Sequence, residues 1–249
     1  MGGCVQRLAH MKAALAQFGA SAEPKNNLRY IKNFAQQAAR AGADMLLCPE
    51  FSMFYAGAGR TAQIRQAAEP LDGPFAASLG GIARKCGLWI AAGMYEKTPD
   101  GLPYNTIIVL DHTGALRGMH RKNRLYDAFG YRESEECRAG ETPFSPIDTP
   151  LGRLGIITCF ELRFPALAAA QRAAGADVLF VPAGWVCGPN KLLHWQTLLR
   201  ARAIENSMTV LGCDQYAENL FIGHSAAFAP DGTTLGALRT GSGLLTITI

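Results

Sequence analysis

Apolar runs too short to be helices punctuate this chain, and what separates them changes along its length. The runs at 13–18, 45–48, 88–93, 106–111, 154–158, 178–181, 209–213, 225–229 and 244–249 have strand length. Helical patterns fill 28–41, 74–86, 165–174 and 191–206. Elsewhere the connection is a tight turn: DHTG at 111–114 and PDG at 230–232 are hairpin signals. Helical crossovers join parallel neighbours and hairpins join antiparallel ones, so the pattern predicts mixed sheets in a layered α/β fold. AGADMLLCPE (41–50) and AGADVLFVPA (174–183) repeat one grammar of helix end, Gly, Asp, apolar strand and Pro. That echo hints at two similar layers, each a sheet covered by helices.

With 249 residues and no linker or low-complexity stretch, residues 11–249 are expected to form one domain. Residues 1–10 are expected to be an upstream extension or an expression remnant, because Met11 opens the first strand-like run. A net charge of +4, with Lys and Arg scattered, gives no basic stripe for nucleic acid. No apolar run reaches the roughly 18 residues a membrane span needs. The seven cysteines are odd in number, widely spaced and free of CxxC pairs, which predicts a reduced cytoplasmic protein without a disulfide framework or zinc site. The five histidines show no metal spacing. GxSxG and Walker A strings are absent, and GAGRTA (57–62) is expected to be a loop because no strand–helix frame surrounds it.

LGIITCFELRFP (154–165) is the most informative segment. An apolar strand stops at Cys159, and charges and a proline follow at once. From the residues alone, two readings compete: an inert buried thiol, or a nucleophile at a strand end, where open α/β sheets bind ligands. In the second, N–H groups of the following turn lower the thiol pKa and hold an oxyanion. A thiol nucleophile needs a base. His194 or His224 would make a papain-like dyad, although nothing local aims either at Cys159. Glu50 closes the strand of DMLLCPE, and Lys122 follows the strand after the DHTG hairpin in HRKNRLYD. Each alone reads better as a solvated surface charge.

Glu, Lys and Cys in that order, each at a strand end, resemble the three motifs of the nitrilase superfamily of carbon–nitrogen hydrolases: LLCPEF, HRKNRLYD and GIITCFELRFP. HWQTLLRARAIEN (194–206) and GHSAAFAPDG (223–232) resemble downstream segments of its amidase-like branch. The resemblance implies a four-layer αββα sandwich with a Glu50–Lys122–Cys159 triad, no metal and no organic cofactor. It adds a second glutamate, which the spacing of YRESEECRAG to Gly140 identifies as Glu133, leaving Glu135 and Glu136 as surface charges. It also implies that the Phe160 backbone N–H serves the oxyanion.

The implied activity is a cysteine amidohydrolase that releases ammonia from a small carboxamide through a thioester. Arg163 resembles a substrate-carboxylate clamp, the alternative being an ion pair with Glu161 or another acid. With the clamp, omega-amidase or deaminated-glutathione-amidase reactions fit. A nitrilase or an N-carbamoyl amino acid hydrolase would use the same triad, and a non-catalytic binding or scaffold protein is the reading from another class. The resemblance implies a homodimer or higher homo-oligomer. Arg200, Arg202 and Glu205 are expected to be scaffold on one helix. RFPALA carries alanine where many relatives carry an acid.

Overall fold

The structure is a computed structural model that describes residues 11–249, so the expectation for 1–10 lies outside the described residues. In chain order the first half contains β1 (Lys12–Gln17), α1 (Pro24–Arg40), β2 (Met45–Leu47), α2 (Thr61–Ala67), α3 (Pro74–Cys86), β3 (Trp89–Glu96), β4 (Tyr104–Leu110) and β5 (Leu116–Arg121). A small hairpin of β6 (Asp127–Ala128) and β7 (Tyr131–Arg132) leads to β8 (Ile147–Thr149) and β9 (Gly152–Ile156). Then come α4 (Pro165–Ala173), β10 (Val178–Ala183), α5 (Lys191–Asn206) and β11 (Thr209–Asp214). A second hairpin, β12 (Tyr216–Ala217) and β13 (Phe221–Ile222), precedes β14 (Ala226–Phe228), β15 (Thr234–Ala237) and β16 (Gly243–Thr248).

Two six-stranded mixed sheets result, ordered β16-β1-β2-β3-β4-β5 and β15-β14-β11-β10-β9-β8. In the first, β1, β2 and β3 are parallel and β16, β4 and β5 run against them. In the second, β9, β10 and β11 are parallel and β8, β14 and β15 are antiparallel. The sheets therefore repeat one topology, and the two echo segments feed equivalent central strands, β2 and β10.

Strand alternation explains the layers, because successive side chains leave opposite faces of a sheet. Ala13, Leu15, Met45, Leu47 and Ala91 meet Leu154, Ile156, Phe180 and Leu211 in the core between the sheets. Their neighbours Ala14, Ala16, Leu46 and Ile90 face the other way, onto Ile31, Phe34, Ala35 and Ala38 of α1 and Leu79 and Ala83 of α3. The α1 positions recur at helical spacing on one face. On the second sheet, Leu179, Val181 and Val210 pack against Trp195, Leu199 and Ala203 of α5. The order helix, sheet, sheet, helix is the expected αββα sandwich.

Differences from the predicted elements lie at edges and starts. Helix α1 begins at Pro24, four residues ahead of the first apolar position, because proline is accommodated in the first turn, where its N–H is not needed. The glycines of GAGRTA do form a loop, with Gly57 and Gly59 at φ 96° and 73°, but helix α2 starts within that string at Thr61. Edge strands β8 and β15 escaped the sequence reading because they are short and half polar. Strand β9 ends at Ile156, so Cys159 stands beyond the strand, in a 3-10 turn over Cys159–Arg163 that leads into α4.

Candidate active site

The parallel strands deliver their carboxyl ends to one place. After β2, Pro49 and Glu50 follow, and Phe51 turns back at φ 58°. This turn lies against Gly93 of β3, where a Cβ would stand 2.6 Å from the Phe51 nitrogen and 3.0 Å from Glu50 Cα. Only glycine lets the Glu50 backbone approach this closely. Lys122 follows β5, and its N–H donates to the Asn105 carbonyl at 2.9 Å, which fixes it beside the start of β4. Cys159 has φ 49°, a left-handed conformation uncommon for a residue with a side chain and frequent at functional turns.

Four buried side chains form a charge cluster. Lys122 Nζ donates to Glu50 Oε1 at 2.9 Å and to Glu133 Oε2 at 2.8 Å. Asn105 Nδ2 donates to Glu50 Oε1 at 2.7 Å and to Glu133 Oε1 at 2.9 Å. The Gly184 N–H donates to Glu50 Oε2 at 2.9 Å, and the Tyr126 N–H to Glu133 Oε2 at 2.7 Å. Gln215 holds the Glu50 backbone carbonyl at 2.8 Å. An ammonium has three N–H donors, so Lys122 keeps one beyond its two carboxylates. Burial works against the Lys122 charge, but the Glu133 and Glu50 carboxylates outweigh it and hold its pKa well above the ordinary lysine value.

Glu50, Lys122, Glu133 and Cys159 line one cavity of about 250 Å³, with Phe51, Tyr55, Tyr126 and Tyr131 among its walls. Burial first, and then the Glu50 charge, push the Cys159 thiol well above its ordinary pKa, against a downward pull from Lys122. Cys159 thus rests as a neutral thiol, not the thiolate that a helix-terminus reading suggests. The first hydrogen bond of its 3-10 turn runs from the Glu161 N–H to the Thr158 carbonyl at 3.0 Å. The Phe160 N–H precedes that bond, so the turn itself leaves it unpaired.

Glu161 ties the Cys159 turn to the Lys122 segment. Its carboxylate accepts the N–H groups of Thr158 and Asn123, both at 2.6 Å, and pairs with the His120 ring at 2.7 Å. Burial raises its pKa, and His120 with these N–H groups more than reverses that, leaving it below the usual value. Glu161 is therefore occupied, and among the described residues none of the ion pairs involves Arg163. The Arg163 guanidinium instead stands 3.3 Å from His194 Nδ1 and 5.0 Å from the Trp185 ring. It lines, with Cys159, Phe160, Trp185 and Lys191, a recess of about 20 Å³ adjoining the cavity. Lys191 Nζ donates to the Tyr126 hydroxyl at 3.3 Å and lies 4.5 Å from the Phe129 ring centre.

Several expectations change here. His194 is engaged with Arg163, and among the described residues neither it nor His224 lines the Cys159 cavity. Glu136 is buried rather than a surface charge: its carboxylate accepts the Gly59 N–H and the Tyr131 hydroxyl, holding the 57–60 loop against the cavity wall. Glu135 does face solvent, beside Arg132. Arg202 is buried as scaffold, bound to the Leu162 carbonyl and to Glu205 at 2.7 Å. Sequence reading missed Asn105, Gly184 and Gln215. Only Gly184 had a signal, since it follows the second echo at the position that Phe51 holds after the first. Among the described residues no three His, Cys, Asp or Glu side chains are grouped to hold a metal ion.

Replacing Asn105 by alanine should leave each carboxylate of the cluster short of one donor. The expected result is a stability loss of about 1–3 kcal/mol by thermal unfolding. Turnover should fall more than substrate affinity does.

The carbon-nitrogen hydrolase family model matches residues 12–249, nearly all of the chain. The chain belongs to that family. This places it in the amidase-like branch of the nitrilase superfamily, as a hydrolase of carbon–nitrogen bonds other than peptide bonds. A hydrolase of Mycobacterium tuberculosis is 36% identical over 82% of this chain and 72% of its own. The deaminated glutathione amidase of Homo sapiens is 32% identical over 93% of this chain and 74% of its own. A glutamate-to-glutamine mutant of an amidase from Nesterenkonia superposes with a TM-score of 0.86 at 28% identity. That match covers 100% of this hydrolase and 93% of the neighbour, whose active site cysteine carries the acetamide moiety of fluoroacetamide.

Proposed function

We propose that this cysteine-dependent amidohydrolase releases ammonia from a small carboxamide that also carries a carboxylate, in an omega-amidase or deaminated-glutathione-amidase type of reaction. The observation that carries the reading is the Cys159 thiol facing the same cavity as a buried Glu50–Lys122–Glu133 cluster. As Cys159 Sγ attacks the amide carbon, the thiol proton passes to Glu50. The Phe160 N–H and the remaining Lys122 N–H receive the oxyanion. When the tetrahedral centre collapses, the C–N bond breaks, Glu50 delivers the proton to the nitrogen, and ammonia leaves a thioester. Water, deprotonated by Glu50, then attacks the thioester. The acid departs, and the proton returns to sulfur. Glu133 keeps Lys122 in place and charged through the cycle.

Arg163 and Lys191 support an acidic substrate. Both are cations on the recess beside Cys159, and among the described residues none of the ion pairs involves either. The Arg163 fork suits a carboxylate. An ammonia-release screen over acidic amides, neutral amides, carbamoyl amino acids and nitriles tests the reading. Acidic amides should be preferred. Turnover of nitriles or carbamoyl amino acids alone would replace it, and no turnover of any class would favour the binding-protein reading. Arg163→Ala should raise KM for acidic amides by roughly 10–100-fold, the worth of a charge-assisted hydrogen bond, and leave neutral amides nearly unchanged. Equal effects on both would remove Arg163 from substrate binding.

No helix among the described residues is long and apolar enough to cross a membrane. A cytoplasmic location belongs to the same proposal, supported by the six free cysteines of the described residues. So does a homo-oligomer, supported by Leu193 and Ile204 standing exposed on α5.

A further inference from the structure

Asp214 ends β11 and is fully buried, yet the reaction above does not use it. In the sheet it pairs with Ala183, the last residue of β10. The chain then turns through Gly184 and Trp185, and the Trp185 N–H donates to Asp214 Oδ1 at 2.6 Å. Gly184 presents its own N–H to Glu50 Oε2 at 2.9 Å. The Trp185 indole lies 5.0 Å from the Arg163 guanidinium carbon. One carboxyl group thus holds a turn whose two residues reach the acid–base glutamate on one side and the substrate recess on the other.

We infer that Asp214 is a positioning residue: through the Trp185 N–H it fixes the turn that aims the Gly184 N–H at Glu50 and sets the Trp185 indole beside Arg163. The inference rests on the proposed role of Glu50 as the base. Among the described residues nothing donates to Asp214 Oδ2, which is buried, and none of the ion pairs involves Asp214. The titratable groups around it are Glu50 from the end of β2, Cys159 from the nucleophile turn, Cys213 beside it and Cys187 from the loop after β10. None of these supplies a positive charge. Burial first, and then Glu50, drive its pKa well above the ordinary aspartate value against the Trp185 hydrogen bond. Asp214 works as a neutral acid, so asparagine should replace it and alanine should not.

The test compares wild type, Asp214→Asn and Asp214→Ala. Asp214→Leu keeps the branched shape without the acceptor, in case the alanine variant fails to fold. Two substrate probes are used, the monoamide of glutaric acid and propionamide, and folding is checked by circular dichroism. A substrate-independent readout is the alkylation rate of Cys159 by iodoacetamide, followed by peptide mass mapping. Asp214→Asn should keep kcat, KM and the alkylation rate within about threefold of wild type. Alanine or leucine should lower kcat tenfold or more on both amides, raise KM further on the acidic one, and change the alkylation rate at least threefold.

The neutral form has its own readout. In the unfolded chain aspartate ionises near pH 4, whereas the folded group keeps its proton, so wild type loses stability as pH rises from there. The Tm of Asp214→Asn minus that of wild type should therefore grow from about pH 4 to pH 8. Asparagine behaving like alanine, a gap that shrinks with rising pH, or alanine and leucine behaving like wild type would each overturn the inference. Wild type inert on both amides, with the alkylation pattern as expected, would instead sink the proposed reaction and leave the positioning role standing.

Discussion

Cys159→Ala is expected to lower kcat by about four orders of magnitude or more, the scale on which hydrolases lose activity with their nucleophile. Among the described residues no other thiol is placed to substitute. Cys48, Cys137 and Cys213 are buried, with burial pushing their thiols up, and among the described residues no other cysteine lines the cavity. The fold should survive, because alanine is no more strained at φ 49° than cysteine is. Rapid acid quench and mass spectrometry should find an acyl adduct on Cys159 of wild type and none on the variant. The raised thiol pKa sets the pH behaviour. A free cysteine is largely ionised above about pH 8.5. Cys159 in the resting enzyme keeps its proton there, so its alkylation rate should keep climbing with pH beyond that point. A plateau near neutrality would mean a resting thiolate and remove the need for Glu50 to take the proton.

Lys122→Met should be the second large effect, and it should strike both stability and rate. The lysine is buried, and methionine keeps most of its stem while removing the charge. Glu50 and Glu133 would then share Asn105 with no cation between them. Losing one partner from a buried charged cluster costs about 3–5 kcal/mol. Losing the proposed oxyanion donor costs a further 10²–10³ in kcat, roughly. The sign with pH follows from the direction of the Lys122 shift. Its folded pKa lies above the unfolded value, so its stabilisation is complete below about pH 10.4 and fades only as pH rises through the folded value. Wild type should therefore lose none of this contribution between neutral pH and about pH 10. The variant should regain stability on acidification, because a proton on either carboxylate relieves the repulsion the lysine had cancelled. Thermal unfolding of both proteins from about pH 4 to 9 measures this. A deficit that does not shrink towards acid would show that the two carboxylates are not the source.

The residues legible in the sequence share a local signature. Glu50, Lys122 and Cys159 each follow a strand-forming segment directly or by a few residues, so a charge or thiol stands where the core stops. The repeated AGAD segments likewise announced two equivalent central strands. What escaped depends on pairings made at long range. Asn105 sits just ahead of the predicted strand at 106–111, and only the register of β4 against β5 carries it to Lys122. Glu136 stands in a run of charges that reads as solvated. It is buried because a loop far away in sequence supplies the Gly59 N–H. Asp214 resembles any polar residue at a strand end, and only the Trp185 turn gives it a task.

The partition of the site between the two sheets has a mechanical consequence. Glu50 and Lys122 hang from the first sheet, whereas Cys159, the Phe160 N–H and the Gly184 N–H hang from the second. The distances that bonds must cross in the proposed reaction are therefore set by the gap between the layers. Large side chains such as Leu15, Met45 and Phe180 fill that gap with Ala13, Ala91 and Ala227 between them, and Cys213 Sγ spans it, 3.3 Å from the carbonyls of Ala16 and Leu47. A methyl group added deep in the interlayer core acts as a wedge. In the proposed reaction it touches no reacting atom, yet it should move the proposed nucleophile, Cys159, away from the proposed base, Glu50, so reaction rate becomes a sensitive gauge of how tightly the two halves of this hydrolase are clamped.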